Sequence, residues 1–113
     1  MKIDNLLVHD GSVDYYNESF RNTLEALIPT YRASAKTTVQ DIPANYAVVY
    51  NADFFGLLLA LRLDPCYHWF TMRLNNMYSP YDFNESITSI MVPNRQDLEA
   101  ARQSWRTTQV IKT

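Results

Sequence analysis

The residues best able to do chemistry in this chain are crowded into one stretch, "LDPCYHWFTMRLNN", residues 63–76. It holds the single cysteine, Cys66, together with His68 and Asp64. A thiol beside an imidazole suggests a nucleophile and its base, and a carboxylate four residues before a histidine on a helix suggests two metal ligands. Helical spacing argues against the first, because side chains two residues apart diverge by about 200°. The second lacks a third ligand, since His9 is the only other histidine. Asp82 and Glu85 are a possible acid/base pair, but no apolar pocket nearby would separate their pKa values. With Gly11 and Gly56 as the only glycines, no phosphate-binding loop exists, and neither Gly-x-Ser-x-Gly nor His-Glu-x-x-His occurs. The sequence reads as that of a protein that is not an enzyme, with no catalytic, cofactor or metal site.

The elements that hold these residues can be read from pattern. Asp64 reads as an N-cap and Pro65 as the first helical residue, where its missing N–H costs nothing. Cys66, Trp69, Phe70 and Leu74 then form one apolar stripe, with His68 turned away from it toward surface or interface. Asn75-Asn76 closes the helix, since asparagine tolerates the left-handed conformation. Upstream, "YAVVY" at 46–50 is β-branched and aromatic and predicts a strand. Asn51 or Asp53 then caps "FFGLLLALRL", a helix apolar on both sides and so expected to be covered on both. Downstream, "ITSIMVP" predicts a second strand closed by Pro93.

The flanks look like arms. After an apolar start at Ile3, Leu6, Leu7 and Val8 and a turn at Asp10-Gly11, Asp14 or Asn17 caps an amphipathic helix. That helix runs through Tyr16, Phe20, Leu24, Leu27 and Ile28 and stops at Pro29. Residues 30–45 form a polar connection with at most a short strand near Thr37 to Val39. Beyond Pro93, Asn94 caps a helix carrying Leu98, Ala101 and Trp105, after which "TTQVIKT" turns β-like.

A chain of 113 residues with 47% hydrophobic content builds one small core. Its net charge of −2 gives no field for a polyanion, and no apolar run is long enough to span a bilayer, so neither nucleic acid nor membrane is an expected partner. No classical export signal is expected, and one cysteine suits a reducing compartment. Eight tyrosines exceed what so small a core needs, which points to a contact surface.

The centre resembles the LysM module, whose order is strand, helix, helix, strand. The matching pieces are "YAVVYNADFFGLLLAL", the Asn75-Asn76 close and the ending "ITSIMVP". More closely, "LDPCYHWFTMRLNNMYSPYDF" looks like the LysM-like baseplate wedge proteins of contractile-tailed bacteriophages: an Asp-Pro opens the second helix, an aromatic pair sits in its middle, an Asn ends it and an x-Pro-aromatic turn follows. Such modules have a glycine before the Asp-Pro and another before the last strand. Here Arg62-Leu63 and Asn84-Glu85 stand in those places, with Asn84 expected to take a positive φ.

The resemblance implies an α+β fold, with a LysM-like strand-helix-helix-strand module at 46–93 between an N-terminal arm at 1–45 and a C-terminal helix and tail at 94–113. It also implies a structural role in a tail baseplate, present in several copies in the virion after assembly in the host cytoplasm, and contacts with hub, tube, sheath or wedge proteins. The residues expected to meet those partners are Phe20, Leu24, Phe55, Leu59, Tyr78, Tyr81, Phe83, Leu98 and Trp105. The alternative implied by ordinary LysM modules is peptidoglycan binding through N-acetylglucosamine, using the loops Tyr50 to Asp53 and Met77 to Asn84.

Overall fold

The computed structural model describes residues 12–112, with side chains through residue 108. The apolar start, the Asp10-Gly11 turn and His9 lie outside the described residues. The described chain is α+β: six α-helices and a two-stranded antiparallel sheet. After a 3-10 turn at Ser12–Tyr16 come α1 (Glu18–Ala26), α2 (Ile28–Ala33), β1 (Thr38–Asp41), α3 (Ala44–Val49) and α4 (Phe54–Ala60). A 3-10 turn at Pro65–Tyr67 leads into α5 (His68–Leu74), a third at Pro80–Asp82 precedes β2 (Ser89–Val92), and α6 (Arg95–Lys112) ends the described part. In the sheet, Thr38 faces Val92 and Asp41 faces Ser89.

Three of the expected elements are different in the structure. "YAVVY" is helical, as most of α3. A strand needs a partner edge, and β2 has none left: β1 occupies one side, while on the other the Asn75 side chain takes both the N–H (2.7 Å) and the C=O (2.9 Å) of Met91. A helix satisfies its own backbone, and the edge-on stack of Tyr46 and Tyr50, one turn apart, supports it. Pro29 does not stop the first helix. It occupies the first turn of α2, where no N–H is required, and Leu27 marks the break between α1 and α2. The C-terminal segment stays helical to Lys112, with the Thr107 and Thr108 hydroxyls bonded back to the carbonyls of Gln103 and Ser104.

Two apolar clusters form the core. Tyr15, Phe20, Leu24, Ile28, Tyr31, Tyr67, Phe70, Leu74 and Leu98 make the first. Ile42, Ala47, Phe54, Leu57, Leu58, Met72, Met77, Phe83 and Ile90 make the second. Helix α5 separates them, sending Phe70 and Leu74 one way and Met72 the other, and half-buried Trp69 and Leu63 touch both. The helix buried on two sides is thus α5. Helix α4 leaves Leu59 57% exposed. The flanking helices α1 and α6 belong to the first cluster, so in this structure they are walls of the core and not free arms.

The backbone shows where sequence reading of turns succeeds. Asn17 caps α1 through bonds to the N–H groups of Ser19 and Phe20, Asp53 caps α4 through Gly56 N–H, and Asn94 caps α6 through Asp97 N–H. Gly56 is needed for the second of these, because a Cβ there would lie 2.3 Å from Asp53 Oδ2. Asn76 takes the left-handed close of α5 with φ 65°. Asn84 does not have a positive φ; its side chain instead accepts from Ser86 N–H at 2.9 Å.

The left-handed residue before Asp64-Pro65 is Arg62, at φ 70°. A Cβ is disfavoured there, and the side chain is exposed. Arg62→Gly is therefore expected to stabilise the fold by about 0.5–1 kcal/mol, read as a raised urea midpoint. A lower midpoint would mean that the guanidinium makes up for the backbone cost.

Candidate functional site

The residues with chemical potential near the start of α5 are committed to structure. Asp64 has the extended backbone of a cap but its side chain makes no capping bond; it faces Arg95 across 4.0 Å. His68 does not point outward. It is 5% exposed, with Nε2–H donating to the Leu63 carbonyl at 2.8 Å and its ring beside Phe55. The bond places a proton on Nε2, which fixes the tautomer of the neutral ring. Burial lowers the His68 pKa, outweighing the Leu63 bond and the Asp64 charge, which push it up. Half-buried Cys66 has its thiol pushed up to about 11, first by burial and then by Asp64 and Glu99, which leaves it a thiol at neutral pH.

A histidine whose folded pKa lies below its unfolded value stabilises fully above the unfolded value, about 6.5, and that contribution is lost as pH falls below it. Stability is expected to drop as pH falls below about 6.5, with part of the drop removed in His68→Gln. Identical pH profiles for the two proteins would show that His68 is not responsible.

The carboxylate of Asp82 is likewise engaged: it accepts from the N–H groups of Tyr78 (2.8 Å) and Ser79 (3.1 Å), closing a capping box on the turn at Pro80–Asp82. Glu85 is exposed and is not joined to it.

What that turn does is display aromatic rings. Tyr78 and Tyr81 are 82% and 79% exposed. Between and behind them Phe83 is buried, packed on Phe54 with ring centroids 5.7 Å apart. Phe83 O accepts from Ala52 N–H at 2.8 Å, and so the two loops at 50–53 and 77–84 lie side by side. Ala52 holds φ 60° to make this contact, a conformation that a non-glycine residue adopts only when neighbours impose it. The Arg73 guanidinium lies 4.5 Å from the centre of the Tyr78 ring, donates to Met77 O and is clamped by a forked pair of bonds to Glu25. That clamp lowers the Glu25 pKa and orients Tyr78 from α1 through α5. The face is thus two nearly free rings on a short, doubly anchored loop.

The expected partner-facing residues separate accordingly. Tyr78, Tyr81 and Leu59 are exposed, and Phe55 is partly covered. Phe20, Leu24, Phe83 and Leu98 are buried inside the chain and present nothing to a partner in this structure. Trp105 is half-buried against Phe20 and donates to Ser19 Oγ at 3.2 Å. The helical spacing of Phe20, Leu24, Leu98 and Trp105 marks apolar stripes, and the structure turns them inward. Their covering comes from one another, which a stripe on one helix cannot reveal.

Sequence reading missed a buried polar network. Asp14, 5% exposed, accepts from Arg102 at 3.1 Å and lies 3.5 Å from Arg106 Nε. Glu99 pairs with Arg102 through one oxygen, and through the other accepts from the Tyr15 and Tyr67 hydroxyls. Burial first, and then Glu99, push the Tyr15 phenol far above its ordinary pKa. Asp14 is not the cap of α1, and the sequence signal for its role is an acid in the otherwise apolar and aromatic "VDYY".

Among the described residues, no helix is long and apolar enough to cross a membrane. No protein-family model, curated protein or solved structure matches the chain.

Proposed function

We propose that this protein is a non-enzymatic structural component of a contractile phage tail baseplate, a LysM-like wedge protein that joins the central hub or tube to wedge or sheath proteins. What supports the reading is the layout around the Asp-Pro: an antiparallel strand pair brackets the helices, Pro65 opens the central segment and Asn76 closes it in the left-handed form. The layout departs from the resemblance in two respects. The first strand is Thr38–Asp41, not 46–50, and three α-helices lie between the strands where a LysM module has two. On this reading the protein acts in several copies inside the virion, having assembled in the host cytoplasm. Tyr78, Tyr81, Leu59 and Phe55 then face neighbouring tail proteins.

Deleting the gene from the phage that encodes it is expected to leave particles without a complete baseplate in negative-stain micrographs. Intact baseplates that lack the protein would refute the reading.

The exposed pair Tyr78 and Tyr81 beside the loop at 50–53 favours one alternative, a LysM-type module that stacks its rings on N-acetylglucosamine chains. Co-sedimentation with insoluble peptidoglycan separates the two. Saturable binding abolished in the Tyr78→Ala/Tyr81→Ala variant would favour sugar recognition, and its absence favours a scaffold.

A further inference from the structure

Helix α6 is attached to the molecule in a manner unlike the other long helices. Of its described side chains only Leu98 is fully buried; Ala101 and Trp105 are half-covered. The rest of its inner face is charged. Arg102, with 14% of its side chain exposed, bonds to Asp14 and Glu99; Arg106 approaches Asp14; and Glu99 accepts from Tyr15 and Tyr67. The remaining ties are also polar: Trp105 to Ser19 Oγ, the Tyr31 hydroxyl to Asp97 O at 3.0 Å, and Lys36 to Asp97 at 3.7 Å. The outer face, Gln96, Ala100, Gln103, Ser104, Thr107 and Thr108, is exposed and carries no charge.

This mixture of a narrow apolar stripe and charged groups on the inner face has an energetic meaning. A buried ion pair gains little over the same charges in water, so a helix that lifts away recovers by hydration most of what its salt bridges supplied. An apolar stripe recovers nothing. Helices α4 and α5 are held by Phe54, Leu57, Leu58, Phe70, Met72 and Leu74, all buried. Helix α6 has Leu98, half-covered Ala101 and the Trp105 ring tilted against Phe20 with centroids 5.2 Å apart. Its single covalent link to the described body is the Pro93–Asn94 junction, where Asn94 caps it and lets it keep its helical form once released.

We infer that α6 is a detachable strap, which swings off as one unit at the Pro93–Asn94 junction while α4, α5 and the sheet stay folded, and in doing so uncovers the aromatic surface of Tyr15, Phe20 and Tyr67. The inference rests on packing alone and stands whether or not the baseplate reading holds.

Native-state hydrogen exchange on the intact chain tests it. The amides of Ala101, Arg102 and Trp105, in the docked middle of α6, are expected to share one exchange free energy. They should exchange at least about tenfold faster than those of Leu57, Leu58 and Met72, and to speed up with low urea, though less steeply. Exchange graded toward the C-terminal end and indifferent to urea would mean fraying and would overturn the proposal, as would equal protection in all the helices. A second arm uses Ile90→Val in the other cluster, a change mild enough to keep the fold. It should accelerate the α4 amides about two- to tenfold and leave the α6 amides unchanged, because strap opening breaks no contact of Ile90. If both sets accelerate together, α6 opens only with the whole molecule and the strap does not exist.

Discussion

Asn75→Ala is expected to lower the unfolding free energy by about 2–4 kcal/mol, a large effect for a residue that is neither catalytic nor apolar. The side-chain amide donates to Thr71 O at 2.7 Å and to Met91 O at 2.9 Å, while its oxygen accepts from Met91 N–H at 2.7 Å. Asn75 therefore does for β2 what a third strand would do, and its two side-chain polar atoms tie the end of α5 to the sheet. Alanine leaves the Met91 N–H and C=O without partners on a half-buried strand, and each orphaned group costs about 1–3 kcal/mol when water cannot reach it. Chemical denaturation of the two proteins measures the difference. A loss under about 1 kcal/mol would mean that water enters and replaces the amide.

Phe83→Ala is expected to cost about 3–5 kcal/mol, whereas Tyr81→Ala, two residues away in the same loop, changes stability by no more than about 0.5 kcal/mol. The contrast follows from exposure: Phe83 is 1% exposed and Tyr81 79%. Phe83 fills the second cluster against Phe54 and fixes the loop at 77–84 to the loop at 50–53, so its removal opens a cavity and frees the display surface at once. Thermal melts of both variants check the pair. If Phe83→Ala were mild, the loop would not be anchored by its aromatic, and the exposed tyrosines would lose their defined position.

Much of the fold could be read in the residues where local chemistry decides. Asn17, Asp53 and Asn94 cap helices, Pro65 begins one and Asn76 ends one, because each acts on atoms a few positions away. The errors arose where a distant partner decided. "YAVVY" has the composition of a strand, but Asn75 already holds the outer edge of β2. His68 faces away from the apolar stripe of α5 and still is buried, since Phe55 and the Leu63 carbonyl form a second wall that the spacing does not reveal. Of the candidate site, the tyrosine loop was visible from its turn residues. The inward Phe83 and the Arg73 clamp, which depend on α1 and α4, were not.

The sheet also sets an order of events during synthesis. Its two strands are separated by about fifty residues, and among the described residues no other strand pairs with either. Closing so long a loop costs chain entropy before any ladder bond is gained, so the sheet is expected to form after the helices between its strands have packed. A ribosome adding about 5–20 residues per second leaves β1 waiting several seconds for its partner. Thr38, Gln40 and Asp41 make that wait safe, because a short strand with polar side chains, exposed at all four positions, is a poor template for a neighbouring nascent chain.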